Sequence, residues 1–223
     1  MSRIGLAVLD LVSSAVARTL FRFDAEGLDR LPAEGPYILV SNHITAFELP
    51  PLRVLLRPRL VRTLAKSESW DRKLLGWMLD QWDAISIRRG ASDMVALRKS
   101  LQVLQDGGIL GIMPEGTRSG NGRLGRGNPG ITVIAQKSGC PIVPMAFWGV
   151  ENVKRNLKRC RRTDFHFRVG EPFTPSFPSG RLTREDRQAL ADDVMRRIAQ
   201  LLPASYHGVY RDRGATLDPA VES

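Results

Sequence analysis

Five short apolar runs, separated by stretches of helical spacing, limit what this chain can fold into. Leu39-Val40, Leu60 to Leu64, Ala84 to Ile87, Ile109 to Met113 and Ile142 to Phe147 have the length and composition of buried strands. Between them, Phe47 to Leu56, Trp70 to Trp82, Met94 to Leu104 and Ile131 to Lys137 carry apolar residues at three- and four-residue intervals. Strands alternating with helices predict an α/β fold, a layered mixed sheet flanked by helices. Phe165-His166-Phe167-Arg168-Val169 alternates apolar and polar, which predicts an added, half-buried strand. Pro172, Pro175 and Pro178 mark a linker, after which Thr183 caps a charged amphipathic helix from Arg184 to Leu202. The tail after Pro203 is expected to be mobile. A length of 223 residues suits a single domain with a sizeable core, and no internal repeat is visible. The predicted organisation is an amphipathic helix over 1–25, an α/β core over 26–178, and a C-terminal helix with a mobile tail over 179–223.

The amino-terminal segment and the charge balance point to an anionic surface. From Ile4 to Phe23 the chain is rich in Leu, Val, Ala and Phe, but Asp10, Arg18 and Arg22 interrupt it. It is therefore no continuous apolar span of about 20 residues, and charges inside its apolar part argue against a cleaved signal peptide. On a helical wheel Arg3, Asp10, Ser14 and Arg18 gather, while Ile4, Val8, Leu11, Val12, Ala15 and Val16 occupy much of the remainder. The pattern predicts a helix lying in the bilayer interface, with Arg18 and Arg22 snorkelling. The competing expectation is a helix that simply packs on the domain. The formal net charge of +10 calls for an anionic partner. Its densest segment is Lys154, Arg155, Lys158, Arg159, Arg161 and Arg162; on a helix, 154, 155, 158, 159 and 162 would share one face. Against an anionic membrane each such charge contributes about 1 kcal/mol. The run lacks interleaved aromatic residues and any nucleic-acid motif, so no nucleic-acid partner is expected. Cys140 and Cys160 have neither metal nor redox spacing, which suggests a reduced, cytosolic-side protein. Together these features predict a peripheral or monotopic protein on the cytoplasmic side of a membrane.

Two polar turns carry the chemistry. The first follows the apolar strand ending at Val40, in Ser41-Asn42-His43-Ile44-Thr45-Ala46-Phe47-Glu48. A histidine can take and return a proton near neutral pH, and a carboxylate beside it can fix its tautomer and stabilise the imidazolium. A structural histidine at a helix start is the plainer alternative. The second turn follows Ile109–Met113, in Pro114-Glu115-Gly116-Thr117-Arg118-Ser119. Pro114 ends the strand ladder, and Gly116 permits a positive φ or a close approach to a ligand. Thr117 and Ser119 offer hydroxyls, and Arg118 offers a planar fork of donors suited to phosphate. A strand that delivers these groups to its carboxyl end is laid out as an anion site; the alternative is a polar turn with a solvated arginine. His166 and His207 have no partners at informative spacing. No third residue stands at usual metal-ligand spacing from His43 and Glu48, so no metal is expected.

Together these blocks resemble the glycerophospholipid acyltransferases. The resemblance rests on Ser41-Asn42-His43…Glu48, Ile85-Ser86-Ile87-Arg88-Arg89, Pro114 to Ser119, and Pro141-Ile142-Val143-Pro144, in that order, and spans roughly residues 27 to 150. Two departures stand out. The family's acid after the histidine is usually Asp, whereas here it is Glu48. A Phe-Lys-x-Gly segment common after the second block is replaced by Gly127-Asn128-Pro129-Gly130, which leaves Arg123 or Arg126 as the nearby cations. The resemblance implies transfer of an acyl group from an acyl-CoA or acyl carrier protein thioester to a lysophospholipid hydroxyl, with no cofactor. It implies His43 as general base, Glu48 as its partner, and Gly116, Thr117, Arg118 and Arg89 around the acceptor phosphate. Asn42 and Glu115 are expected in support, Glu115 as a brace of its loop. The cluster Trp70, Leu74, Leu75, Trp77, Met78 and Leu79 is a candidate wall for the acyl chain. The expected partners are the two substrates, an anionic membrane surface and, as an alternative donor, acyl carrier protein. Among acceptors, 1-acylglycerol-3-phosphate is expected, and a glycolipid or another lysolipid is the alternative. Two competing readings of the whole are a basic binding module whose site has decayed and a metal-dependent hydrolase.

Overall fold

The alternation resolves into one seven-stranded sheet with helices on both faces. The computed structural model describes residues 3–88, 93–177, 180 and 182–211. The elements are α1 (Arg3–Leu20), β1 (Phe21–Glu26), β2 (Tyr37–Val40), α2 (Leu49–Leu55), β3 (Val61–Lys66), α3 (Lys73–Gln81) and β4 (Ile85–Ile87). They continue as α4 (Met94–Gln105), β5 (Ile109–Ile112), α5 (Gly130–Ser138), β6 (Ile142–Trp148), α6 (Val153–Leu157), β7 (Thr163–Val169) and α7 (Arg184–Ala199). The strand order is β1-β7-β6-β2-β5-β3-β4. Strands β6, β2, β5, β3 and β4 run parallel to one another. β7 pairs antiparallel with β6, and β1 runs parallel to β7, so the sheet is mixed as predicted.

Burial explains the short strands. Every residue of β2 and β5 is buried, because a central parallel strand is covered on both faces and has no reason to alternate with polar residues. Ile38, Val40, Leu110, Ile112, Ile142 and Ala146 face a layer built from α4, α5 and α7, where Leu104, Ile131, Ile134, Val194, Met195 and Ile198 fill the core. Tyr37, Leu39, Ile109, Val143, Met145 and Phe147 face the other way, onto Phe21, Leu52, Phe165 and Phe167. A third cluster around Leu9, Leu79 and Trp82 joins α1 to α3.

The chain departs from its sequence reading in four places. The expected helix through Phe23 stops at Leu20, and Phe21-Arg22-Phe23-Asp24-Ala25-Glu26 forms β1. These residues start apolar-polar alternation at Phe21, a period of two that hydrophobic richness alone hides. Arg22 then donates twice to Asp164 across the strand pair, at 2.6 and 3.1 Å. The stretch Trp70–Trp82 splits into a 3-10 turn over Ser67–Asp71 and α3. The basic segment forms no single helical face: α6 ends at Leu157, a turn follows, and Thr163 opens β7. All six of its cations are nonetheless exposed. Finally, the segment after Pro203 is packed. Residues Ala204–Tyr206 and Gly208–Tyr210 form two 3-10 turns hydrogen-bonded to the body of the protein. Pro178, and the tail beyond Arg211, lie outside the described residues.

The helix α1 packs on the domain along one side, as the second of its two expectations has it. Leu9, Ser13 and Ala17 are buried, and Asp10 is held by Arg53 of α2 in a two-pronged ion pair at 2.5 and 3.1 Å. Its opposite side leaves Ile4, Val8, Leu11 and Val12 exposed, Leu11 by 71%. No helix among the described residues is long and apolar enough to cross a membrane.

Candidate active site

Both polar turns emerge at the carboxyl ends of adjacent parallel strands, β2 and β5, where open α/β sheets place their ligands. The first turn is built around Glu48, whose side chain is completely buried. Its Oε1 makes a short contact with His43 Nδ1, and its Oε2 accepts the Ile44 and Thr45 backbone N–H groups at 3.0 and 2.8 Å. Thr45 Oγ1 in turn accepts the Phe47 N–H at 3.1 Å, closing a capping box at the start of the helix. The spacing Thr45-x-x-Glu48 is the sequence signature of that box, and it is the signal that sequence reasoning passed over. The longer acid therefore has two tasks. One oxygen orients the imidazole and the other closes the turn that carries it.

His43 is left with Nε2 as its free edge. Its side chain is 16% exposed, and among the described residues Nε2 has no hydrogen-bond partner. The turn is anchored behind it by Asn42, which is buried and bridges both backbone groups of Phe147 on β6. Its Nδ2 donates to the Phe147 carbonyl at 2.8 Å, and its Oδ1 accepts the Phe147 N–H at 3.1 Å. Asn42, expected only as a supporting residue, thus ties the histidine turn to a second core strand.

The second turn is stitched directly to the first. Ser119 N–H donates to the His43 carbonyl at 2.9 Å, and Gly120 N–H to the Ile44 carbonyl at 3.1 Å. Arg118 therefore sits one residue from a backbone contact with the histidine turn. Gly116 has φ of +67°, and a Cβ there would meet open space, so backbone conformation rather than room asks for glycine. Thr117 and Arg118 are exposed, and Arg118 makes no ion pair among the described residues. Glu115 is the brace. Its Oε1 accepts the His43 N–H at 2.9 Å and its Oε2 accepts the Gly125 N–H at 2.7 Å. Burial pushes the Glu115 carboxyl above its usual range, and these two N–H groups oppose the rise.

Other predicted residues fall differently. Arg89 lies outside the described residues; the strand before it, β4, is the edge of the sheet. In the Trp70–Leu79 cluster, Leu79 is buried and Leu75 and Met78 pack with it, whereas Leu74 and Trp77 are exposed. Its inner half is plain core. Arg123 and Arg126 are exposed on the loop beyond Gly120. Among the described residues no three His, Cys, Asp or Glu side chains gather as metal ligands.

The family model described as Acyltransferase matches residues 22–148, from β1 through β6 and so across both turns. The chain belongs to the acyltransferase family. Other acyltransferases align over part or most of its length. A 1-acyl-sn-glycerol-3-phosphate acyltransferase of Bacillus subtilis is 26% identical over 78% of this chain and 84% of its own. The human alpha enzyme of the same name is 27% identical over 78% of this chain and 61% of its own. A chloroplastic one from Brassica napus is 28% identical over 60% of this chain, which spans only 39% of that relative's length. In structure, the acyltransferase PlsC of Thermotoga maritima superimposes with a TM-score of 0.64 at 23% identity, over 88% of this chain and 79% of that one, and shares the fold.

Proposed function

We propose that this acyltransferase moves a fatty acyl group from an acyl thioester to the free hydroxyl of a lysophospholipid, with 1-acylglycerol-3-phosphate the acceptor and phosphatidate the product. The observation that carries the reading is the His43–Glu48 contact through Nδ1, which leaves Nε2 without a hydrogen-bond partner among the described residues, on a turn whose backbone is hydrogen-bonded to the anion turn. His43 Nε2 takes the hydroxyl proton as the acceptor oxygen attacks the thioester carbonyl. The tetrahedral intermediate collapses with cleavage of the C–S bond, and the imidazolium returns its proton to the leaving thiolate. Glu48 stabilises the imidazolium between those steps. No covalent acyl-enzyme is required. Gly116, Thr117 and Arg118 hold the acceptor phosphate, with Arg89 as a second cation. The relatives' names favour a phosphomonoester acceptor, and so does the Arg118 guanidinium, which has no ion-pair partner among the described residues. The donor is a CoA or carrier-protein thioester.

The same reading makes the chain peripheral to a membrane. The exposed stripe Ile4, Val8, Leu11 and Val12 suits insertion at the bilayer interface, and the exposed cations from Lys154 to Arg162 suit anionic headgroups. Arg162 donates to the Phe21 carbonyl just beyond the end of α1, so the basic segment meets the carboxyl end of that helix.

The test is transfer of a radiolabelled acyl group to 1-acylglycerol-3-phosphate by purified protein. His43→Ala should abolish transfer while leaving the fold intact. Arg118→Ala should raise the acceptor KM with little change in thermal stability. Acceptor binding with no turnover in the unmodified protein would leave a binding module in place of an enzyme.

A further inference from the structure

Residues 203–211 lie across the loop that follows the anion turn. Leu124 gives both backbone groups to this segment: its N–H donates to the Tyr206 carbonyl at 2.9 Å, and its carbonyl accepts the Val209 N–H at 3.1 Å. The Tyr206 ring rests on Gly122, where a Cβ would come within 2.5 Å of it. Gly208 leaves no room either, since a Cβ there would fall 2.0 Å from the Leu124 carbonyl oxygen. Tyr210 Oη accepts the Gly127 N–H at 2.9 Å and donates to Asp192 of α7 at 2.8 Å. Gln188 of α7 holds the Gly127 carbonyl at 3.0 Å. Tyr206 Oη donates to Glu151. The loop is thus fastened at Gly122, Leu124 and Gly127, and Gly125 between them is the residue whose N–H meets Glu115.

We propose that segment 203–211 is a positioning strap for the catalytic turn. It fixes the 122–127 loop so that Gly125 meets one oxygen of Glu115, whose other oxygen sets the backbone of His43. The inference rests on the reading of His43 as the base. The strap grips the loop at Gly127, the first residue of the Gly127-Asn128-Pro129-Gly130 stretch. Tyr206 and Tyr210 touch no reacting atom in this scheme and act only through the loop. The ionisable groups acting on Glu115 are His43 and Glu48.

Two variants of the full chain test the strap. Tyr210→Phe keeps the ring and removes the bridge from Gly127 to Asp192. Gly208→Ala drives a methyl group against the Leu124 backbone. Amide hydrogen exchange and steady-state kinetics are read on both. The expected result is faster exchange, several-fold, at residues 122–127 and also at His43 to Thr45. With it kcat should fall several-fold while the thioester KM holds. In a Glu115→Gln background most of that kcat loss should disappear, because the path is already cut. Faster exchange confined to the strap and loop, with His43 protection and kcat unchanged, would overturn the proposal. If Gly208→Ala does not fold, Tyr210→Phe decides alone. If the unmodified chain transfers no acyl group, the functional reading fails, and exchange at His43 still decides the strap.

Discussion

At the scale of single residues, Glu48 holds the site's geometry, and its two oxygens can be separated by mutation. Glu48→Gln keeps the length and one acceptor oxygen. An amide oxygen turned toward the Ile44 and Thr45 N–H groups points its NH₂ at His43 Nδ1. That arrangement presents a donor to the imidazole where the proposed reaction needs an acceptor. The imidazole must then carry its proton on Nε2, and it loses the base function there. Turnover should fall by about 10²- to 10⁴-fold, the usual contribution of a positioned general base, with acceptor KM little changed. Glu48→Asp keeps the charge but withdraws the carboxylate by about 1.5 Å, roughly one carbon–carbon bond. It can no longer span both the imidazole and the turn, so kcat should fall less than in Glu48→Gln while thermal stability falls more. Equal kcat in all three proteins would show that the imidazole is not oriented by this acid.

At the scale of elements, the sheet was legible because its central strands are short and uniformly apolar, and the helices because their apolar residues recur at three- and four-residue intervals. Thr183 caps α7 with Asp186 as its sequence suggests. The elements missed were those whose signal was brief or masked by neighbours. β1 hides behind the apolar richness of α1, and α6 is five residues long. The site was legible in its residue types and not in its stitching. His43, Glu48 and Arg118 announce a chemistry, whereas Ser119 and Gly120 hold the turns together through backbone groups that carry no side-chain signature. The C-terminal strap was unreadable for the same reason, since Tyr206 and Tyr210 become contacts only once α7 and the 122–127 loop are placed. That strap leaves a titration signature. Burial pushes both phenols up, Tyr210 to about 12 and Tyr206 higher. A folded-state value above the unfolded one of about 10 gives stability that is whole below pH 10 and lost as pH rises toward the folded value. Denaturant unfolding at pH 9 and pH 11 should therefore show a smaller loss for Tyr210→Phe than for the unmodified chain. Its 295 nm absorbance should also lack the component near pH 12. Identical losses would mean that the phenol is already free in the folded protein.

At the scale of the whole molecule, the fold divides the labour between two regions. The carboxyl ends of β2 and β5 carry the proposed chemistry, whereas the outward stripe of α1 and the exposed cations of the basic segment are the features proposed to meet a bilayer. α1 is fixed to the body by the Asp10–Arg53 ion pair, with side chains only 13% and 11% exposed. Its outward stripe therefore has a set direction relative to α2, whose amino end follows Glu48. Fully burying a leucine side chain contributes about 1.5–3 kcal/mol, so Leu11→Asp should weaken vesicle binding by roughly tenfold or more, since each 1.4 kcal/mol is tenfold. Because Leu11 is exposed, its replacement should leave thermal stability within about 0.5 kcal/mol. The cations act through a different physics and should separate from the stripe. Lys154→Gln with Lys158→Gln should lower binding to vesicles containing phosphatidylglycerol and leave binding to phosphatidylcholine vesicles unchanged. The loss should shrink as salt is raised, because the Debye length shortens from about 10 Å at 0.1 M to about 3 Å at 1 M. Co-sedimentation with the two vesicle types, at both salt concentrations, measures all of this. If Leu11→Asp sediments as the unmodified protein does, α1 is a packing helix and the bilayer meets the molecule elsewhere.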